Sequence, residues 1–579
     1  MPMEKWVVAA KRADFAQIAA KFGIDPVTAR LIRNRDVVGD EAIQLYLYGG
    51  MEHLHNPHLL KGADEAAALI KRKIQEKKKI RIIGDYDIDG VNATYILYKG
   101  LKRCQAEVDY EIPDRMKDGY GINEHLIQYA YEEGVDTILT CDNGIAAVDQ
   151  IGYAKDHGMT VIVTDHHEPQ DRIPPADVIV NPKQEGCPYP FKNLCGAAVA
   201  WKVVQCLYEL FDIGWEESLE FLEQTAIATV GDVMDLTEEN RILVKEGLKK
   251  LNHTTNPGLH ALIQANGLEQ AQLNAYHIGF VLGPCINASG RLDTAKRALS
   301  LLLEENAEKA AALAQELKEL NDERKDMTAK GVEQAMELIE NGPLKEDKVL
   351  VVYLPGCHES LAGIIAGRLR ERYYRPTIVI TDSAEGIKGS GRSIENYNMF
   401  EELMKCKELF TKFGGHPMAA GLSMEKGMAE VLRKRLNEQT TLTSEDLTEK
   451  VVIDVPMPID YITEHLVEEL SVLEPFGKAN TKPVFAEKNL QILNARILGQ
   501  NRNVLKMQVR NARGAVLEAL YFGDIQGFQE YLEKKFGSVE MEKLFQGREN
   551  RVSLSVVYYP SINEFRDRRT LQIVIQKYQ

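Results

Sequence analysis

KIRIIGDYDIDG, residues 79–90, is the stretch from which this chain's fold is best read. A run of branched apolar residues stops at Gly84, and three carboxylates, Asp85, Asp87 and Asp89, alternate up to Gly90. Beyond them VNATYILYKGLKR (91–103) has the length and apolar spacing of a helix. Branched apolar residues bounded by glycine predict a strand, and a strand followed by such a helix predicts a βαβ unit. The pattern repeats. VDYEI (108–112), TILTC (137–141), VIVT (161–164) and VIVN (178–181) read as further strands, with EHLIQYAYEEG (124–134) and AAVDQIGYAKDHG (146–158) as helices between them. The expectation is an α/β domain on a parallel sheet, followed by a more purely helical stretch from about Gly196 to Leu251.

Three polar motifs stand directly after predicted strands: GDYDIDG (84–90), TCDNG (140–144) and TDHHEP (164–169). A fourth, VGD (230–232), falls in a helical region. Ligands of open parallel sheets bind beyond the carboxyl ends of the strands, so the three motifs converge on one crevice. Carboxylates crowded together resist ionisation, and a divalent cation relieves them. Carboxylate oxygens with an imidazole nitrogen suit Mn2+ best, then Mg2+, and Zn2+ less. One Asp-Gly after a strand is ordinarily a turn, and one His-His pair ordinarily packs or faces water. Three such motifs at equivalent strand ends are not explained by turns.

The 579 residues allow about three to five domains. Hydrophobic residues at 44% and charged residues at 27% exclude the disordered and collagen-like classes. No apolar run approaches the roughly 18 residues of a membrane helix, and MPMEKWVVAAKRADF lacks the layout of a signal peptide. None of the eight cysteines is in C-x-x-C spacing, which supports neither a zinc ribbon nor a disulfide framework and predicts a reducing, cytoplasmic compartment. Seventy basic against 86 acidic residues leave a net charge of −16, so a nucleic acid would need a local basic groove. KRKIQEKKK (71–79) and RLRERYYR (368–375) are locally basic, and the second interleaves aromatics as single-strand grooves do. An amphipathic helix with a solvated charged face explains the second run at least as well.

Residues 304–340, rich in Ala, Leu, Glu and Lys and free of proline, predict one long helix, about 55 Å if unbroken, read as a spacer between domains. A second α/β pattern starts at KVLVVYL (348–354) and holds two glycine-rich signals, KGSGRS (388–393) and FGGHPMAAGL (413–422). From residue 451 the alternations LQILNARIL, VLKMQVR, VSLSVVYY and LQIVIQ predict a small β-barrel or sandwich.

DYDIDG, CDNG and TDHH resemble the motifs of the DHH phosphoesterase superfamily, and KGSGRS and FGGHPMAAG resemble those of its DHHA1-type second domain. With PDRMKDGYG (113–121), GPCINASGRL (283–292) and LEPFGKAN (473–480), the resemblance covers roughly residues 70–579 and narrows to the RecJ family of single-strand-specific 5′→3′ exonucleases. It implies a domain plan: an N-terminal helical segment (1–70), a DHH domain on a parallel sheet (71–303), a connecting helix (304–342), a DHHA1-type α/β domain (343–445) and an OB-like barrel (446–579). It also implies that Asp85, Asp87, Asp142, His166 and Asp232 hold two divalent cations, with Asp142 bridging and His167 near the scissile phosphate. Asp89 occupies the third acidic position of its motif, as ligand or as turn residue.

Arg115, Arg291, Ser390 and Arg392 match a pocket for a 5′-terminal phosphate, which arginine forks and hydroxyls suit. Gly414 and Gly415 permit φ > 0 and close backbone approach, so His416 reads either as a DNA-backbone contact or as a packed residue of a tight turn. Tyr120 would stack on a base or pack in its loop, and Lys506 and Arg502 would face a strand on the barrel. The implied activity is two-metal, in-line hydrolysis of single-stranded DNA that releases 5′-mononucleotides in repair and recombination. A single-strand-binding protein or helicase partner is implied as well, with no membrane and a monomer as the default.

The chain departs from the family pattern at Cys285, Ser289, Cys357, Ala479 and Thr481, which are groove or packing positions rather than metal positions. Two other readings compete. Hydrolysis of short oligonucleotides or a cyclic dinucleotide needs no extended strand-binding module, and a catalytically dead DNA-binding scaffold would have lost metal ligands that are all present here.

Overall fold

The structure is a computed structural model and describes residues 4–115, 118, 121–499, 502–565 and 568–579. It divides into two compact units, Gly50–Glu449 and Lys5–Gly49 with Lys450–Gln579.

In the first unit the strands Ile80–Ile83, Val108–Glu111, Thr137–Cys141, Thr160–Thr164 and Val178–Val180 form a five-stranded sheet, parallel throughout. Numbered along the chain, their order in the sheet is 2-1-3-4-5. Ile82, Leu139 and Ile162 point into a core shared with helices Ala63–Gln75, Ile88–Arg103 and Gly196–Leu210. Ile83, Ile138, Val161 and Val163 point the other way, against Glu124–Glu132 and Val148–Asp156. A sheet covered on both faces explains why its strands read as continuous apolar runs. The order reverses between the first and third strands. At such a switch point the loops leaving the strands diverge and open a crevice. GDYDIDG and CDNG are the loops leaving those two strands.

Helix Ala307–Glu340 is unbroken, but it is not a free spacer. Ala310, Ala314 and Leu317 are buried in the core of the parallel-sheet domain, and Ala335 and Ile339 in a cluster with Leu350, Val352 and Ile365. The small residues that raise helix propensity therefore also let both neighbours pack close.

The second sheet of this unit is mixed. Leu350–Tyr353 pairs in parallel with Thr377–Ser383, which is followed across the sheet by the antiparallel strands Gly386–Arg392, Ala419–Met424 and Lys412–His416. Both glycine-rich signals are thus strands, and Gly414 and Gly415 are not among the positive-φ glycines. At Gly389 and Gly415 the role is close approach. A Cβ at Gly389 would meet Leu422 at 2.8 Å, and one at Gly415 would meet the Ala419 carbonyl oxygen at 2.5 Å.

The two basic runs are tied into the fold. Lys73 pairs with Asp136 at 2.6 Å and Lys79 with Asp109 at 3.1 Å. RLRERYYR begins in helix Ala362–Tyr373; the Tyr373 hydroxyl donates to Glu340, and Arg375 donates to the carbonyls of Lys345 and Asp347.

In the second unit Phe485–Leu498, Val504–Arg510, Val516–Tyr521, Arg568–Tyr578 and Ser553–Phe565 pair in that order, and the last returns to the first, closing a five-stranded barrel. Helices Phe15–Phe22, Pro26–Asn34 and Asp40–Tyr48 belong to this unit, and Leu31, Ile32, Ile43 and Leu47 share its core. The N-terminal stretch 1–70 is therefore not one piece, since Ala63–Gln75 packs in the other unit. Among the described residues no helix is long and apolar enough to cross a membrane, and all eight cysteines are free.

Candidate active site

Each acidic motif is shaped by its own backbone. Asp87 caps the N-terminus of helix Ile88–Arg103, accepting from the backbone N–H groups of Asp89 and Gly90 at 2.9 and 3.1 Å. A Cβ at Gly90 would lie 2.4 Å from the Asp85 carbonyl oxygen, so only glycine lets the loop close. Asp142 sits at φ +59°, a left-handed conformation that aspartate tolerates better than most residues. Asp232 ends helix Leu222–Gly231, and the chain turns sharply after it through Val233 at φ +55°. Strain at a β-branched residue marks a place where the fold over-determines the backbone.

These elements bring the predicted metal residues together. Asp85, Asp87 and Asp142 each offer an oxygen within 4.8 Å of the others, and the same limit holds for Asp89, His166 and Asp232 and for Asp142, His166 and His167. Asp142 belongs to two of these groups. The Nε2 of His166 lies 3.1 Å from Asp142, 3.5 Å from Asp89 and 3.7 Å from Asp232.

Burial and mutual repulsion govern the charges. Burial, then Asp87, pushes the Asp85 carboxyl up to about 8. Burial and the neighbouring aspartates raise Asp142 well above the usual range. Burial lowers His166 and favours its neutral, coordinating form. The Oδ1 of Asp85 and the Nδ1 of His166 are buried without a hydrogen-bond partner. Hard oxygen donors in excess, a neutral imidazole and unsatisfied buried acceptors are what a divalent cation completes, so the residues fit the metal.

Asp89 and His167 also have partners inside the protein. Both oxygens of Asp89 accept from the N-terminus of helix Gly196–Leu210, at Gly196 (2.6 Å) and Ala197 (2.7 Å). The Nδ1 of His167 is 2.8 Å from Asp165. Burial opposes charge on His167, but this hydrogen bond and the nearby carboxylates raise it to about 9. Asp165 organises the histidine loop. It accepts from the backbones of His166 and His167 and, through its other oxygen, from Ile145. The sequence reading passed over Asp165; its signal was its place at the head of Asp-His-His, the expected position for a loop-fixing carboxylate.

Beside this crevice, in the same unit, lies a cleft of about 480 Å³. Arg115, Arg291, Ser390 and Arg392 all line it, as do Tyr86, Lys388 and Lys412. Arg291 donates to the Ser360 carbonyl at 3.0 Å, and Arg392 donates to the Ser390 hydroxyl at 3.1 Å. The Arg115 guanidinium lies 5.0 Å from the Tyr86 ring centroid. Glu359, the single acidic residue among the described lining residues, pairs with Lys388 at 2.9 Å. Burial, then Arg115 and Arg324, drives Arg291 down to about 10, and burial with Arg370 and Arg115 lowers Arg392. Tyr86 links the two regions because it stands between Asp85 and Asp87.

The remaining expectations fare differently. His416 is exposed at the end of strand Lys412–His416 and is not among the cleft-lining residues, so it is neither packed in a turn nor part of the cleft. Lys506 pairs with Glu518 on the adjacent barrel strand at 2.8 Å. Tyr120 lies outside the described residues. Cys285 and Ser289 are buried, Cys285 near Asn321 and Ser289 donating to the Ile286 carbonyl, so these departures are packing changes rather than groove changes.

Known proteins share the domain arrangement. The model of the DHH family N-terminal domain matches residues 79–229, that of the DHHA1 domain 346–441 and that of the RecJ OB domain 453–577. The single-stranded-DNA-specific exonuclease RecJ of Bacillus subtilis is 38% identical over 558 residues, which cover 96% of this chain and 68% of the relative. Its Escherichia coli counterpart is 32% identical, with 95% of each chain covered. The crystal structure of RecJ from Thermus thermophilus in complex with Mn2+ superposes with a TM-score of 0.82 at 27% identity, covering 100% of this chain and 80% of that one. The chain therefore belongs to the RecJ family, with a DHH domain, a DHHA1 domain and a RecJ OB domain in that order.

Proposed function

We propose that this protein degrades single-stranded DNA from its 5′ end, releasing 5′-mononucleotides by metal-dependent hydrolysis in DNA repair and recombination. One observation carries the reading: a carboxylate crevice suited to divalent cations and an arginine-lined cleft share the Asp85-Tyr86-Asp87 loop. A nuclease that measures from a terminal phosphate needs both functions at a fixed separation.

Asp85, Asp87 and Asp142 would hold one cation, and Asp142, His166 and Asp232 the other. Bound Mn2+ or Mg2+ supplies Lewis acidity at phosphorus and lowers the pKa of the attacking water. Asp142, which falls in two of the ligand groups, would fix the separation of the two sites. His167, charged and fixed by Asp165 through Nδ1, directs its Nε2–H to a non-bridging phosphate oxygen, where charge grows during displacement. Asp89, whose oxygens each accept from a helix N-terminus, braces the crevice and would offer a further oxygen beside His166 and Asp232. Arg115, Arg291, Ser390 and Arg392 take the 5′-terminal phosphate through charge-assisted hydrogen bonds, which makes cleavage exonucleolytic.

The barrel contributes a second binding surface for the single strand. The domain plan inferred from the sequence, with the N-terminal helices reassigned to the barrel unit, serves this division of labour. We read the protein as a cytoplasmic monomer that works with a single-strand-binding protein or a helicase. A cyclic-dinucleotide substrate is disfavoured, because it leaves the barrel without a role.

The test is degradation of a long 5′-phosphorylated single strand with Mn2+ or Mg2+ by the parent and by Asp142→Ala. Parent activity and an inactive variant are expected. Equal, non-zero degradation by both proteins would remove the proposed site.

A further inference from the structure

Residues 275–292 form one helical run, interrupted by a π-helical turn at Ile278–Leu282. π turns shift the register of side chains and recur at functional sites. Here the turn accompanies two aromatic rings on the outer face. Tyr276 and Phe280 stack with centroids 5.0 Å apart and planes at 25°, yet are 61% and 69% exposed. Val233 is 60% exposed as well. Exposed single apolar residues need no explanation, but a stacked aromatic pair held in water forgoes burial worth about 1.5–3 kcal/mol for a side chain such as Phe.

The inner face of the same run lies against the metal-site segments. A Cβ at Gly279 would sit 3.6 Å from Val230, two residues before Asp232. A Cβ at Gly283 would sit 3.0 Å from Ile88, which follows Asp87, and one at Gly290 would sit 2.3 Å from the carbonyl oxygen of Tyr86. The run thus passes behind the carboxylate crevice and ends at Arg291 in the phosphate cleft. From Arg291 back to Phe280 is about 16 Å of helix rise. Along this line come the phosphate cleft, then the Tyr86–Asp87 loop, and then, at one level, the Asp232 segment on the inner face and the aromatic pair on the outer face.

We infer that Tyr276 and Phe280 are a stacking platform for unpaired bases on the 3′ side of the scissile phosphate. This rests on the single-strand reading above. With the 5′-phosphate in the arginine cleft and the scissile bond at the carboxylates, the departing strand continues toward the aromatic pair. Any base stacks on these two rings without sequence preference. These positioning residues add strand affinity and hold the second and later nucleotides so that the scissile phosphate stays in register.

The experiment uses full-length protein and 5′-phosphorylated oligonucleotides carrying 2-aminopurine at successive positions. Fluorescence is read in EDTA, and steady-state hydrolysis is read separately with Mn2+. In the parent, 2-aminopurine a few nucleotides from the 5′ end should be quenched and a probe at the far 3′ end should not. Phe280→Ala and Tyr276→Ala should lose that quenching and raise KM about tenfold, with a smaller change in kcat. Phe280→Trp should restore both. Because the rings are exposed, the melting temperature should not move in any variant. If the double alanine variant keeps the parent's quenching and KM while the parent degrades DNA, the platform is overturned and the exonuclease reading stands. If the parent degrades nothing but Phe280→Ala still abolishes quenching, the exonuclease reading falls and the platform stands as a strand-binding site.

Discussion

The carboxylate crevice and the arginine cleft meet at one loop and carry opposite charge. Burial pushes Asp85 up to about 8 in the first, and it pushes Arg291 down to about 10 in the second. In each region like charges are packed together with too few partners inside the protein. The fold can do otherwise. Lys202 and Glu239, almost fully buried, pair at 2.8 Å, and the Tyr189 hydroxyl donates to the same carboxylate at 2.7 Å. That buried pair is compensated within the chain, whereas crevice and cleft are suited to compensation by what they bind: cations on one side, a terminal phosphate on the other. A nucleic-acid end with bound divalent ions supplies both.

The largest test of this contrast is Asp142→Ala. It removes the carboxylate common to two groups and should lower turnover more than about 10³-fold in a steady-state nuclease assay, with the fold retained by circular dichroism. Asp165→Asn keeps the shape but removes the charge that fixes His167. A loss of roughly 10–100-fold in kcat is expected, the usual cost of disturbing an orienting partner, and unchanged kcat would deny His167 its role.

On the basic side, Arg392→Ala should cut the preference for a 5′-phosphate over a 5′-hydroxyl end by roughly 10–100-fold while slowing hydrolysis of the 5′-hydroxyl substrate much less. Equal losses on both ends would separate the cleft from end recognition.

Crowding in the crevice also predicts a pH dependence. The Asp85 carboxyl rises from 3.8 to about 8 on folding, so the folded chain holds a proton that the unfolded chain has released. The stability this contributes is complete below about pH 4 and is lost as pH climbs through 8. The melting temperature of the metal-free protein should therefore drop by roughly a few degrees between pH 6 and pH 9, and saturating Mn2+ should remove most of the drop. A flat profile without metal would contradict the crowding.

The smallest effect is expected at Lys506, outside both regions. Its exposed pair with Glu518 contributes about 0–1 kcal/mol, so Lys506→Ala should barely change stability or strand affinity. A drop of about 0.7 in the salt slope of binding would instead make it a phosphate contact.

Much of the site was legible because parallel strands line up the loops that leave their carboxyl ends. GDYDIDG, CDNG and TDHH each come directly after an apolar run, and the strand-end rule alone places them together. Asp165 was missed because it acts on the backbone N–H groups of His166, His167 and Ile145, whose convergence exists only in the folded loops. The choice between the two uses of glycine in FGGHPMAAG stayed open for a related reason. Glycine that frees φ and glycine that admits a close neighbour are the same letter, and only packing against Leu422 or Ala419 tells them apart.

From the order of its residues alone, this chain already specifies a parallel sheet, its strand-end carboxylates, a long helix and a closing β domain. Each arises from local spacing and from the obligation of strands and helices to bury an apolar face. The compensation of charge was left to the tertiary structure. Lys73, Lys79 and Lys506 found partners in the fold, while Arg115, Arg291 and Arg392 were gathered into one cleft. Coulomb energy depends on distance and burial, and neither exists until the chain has folded.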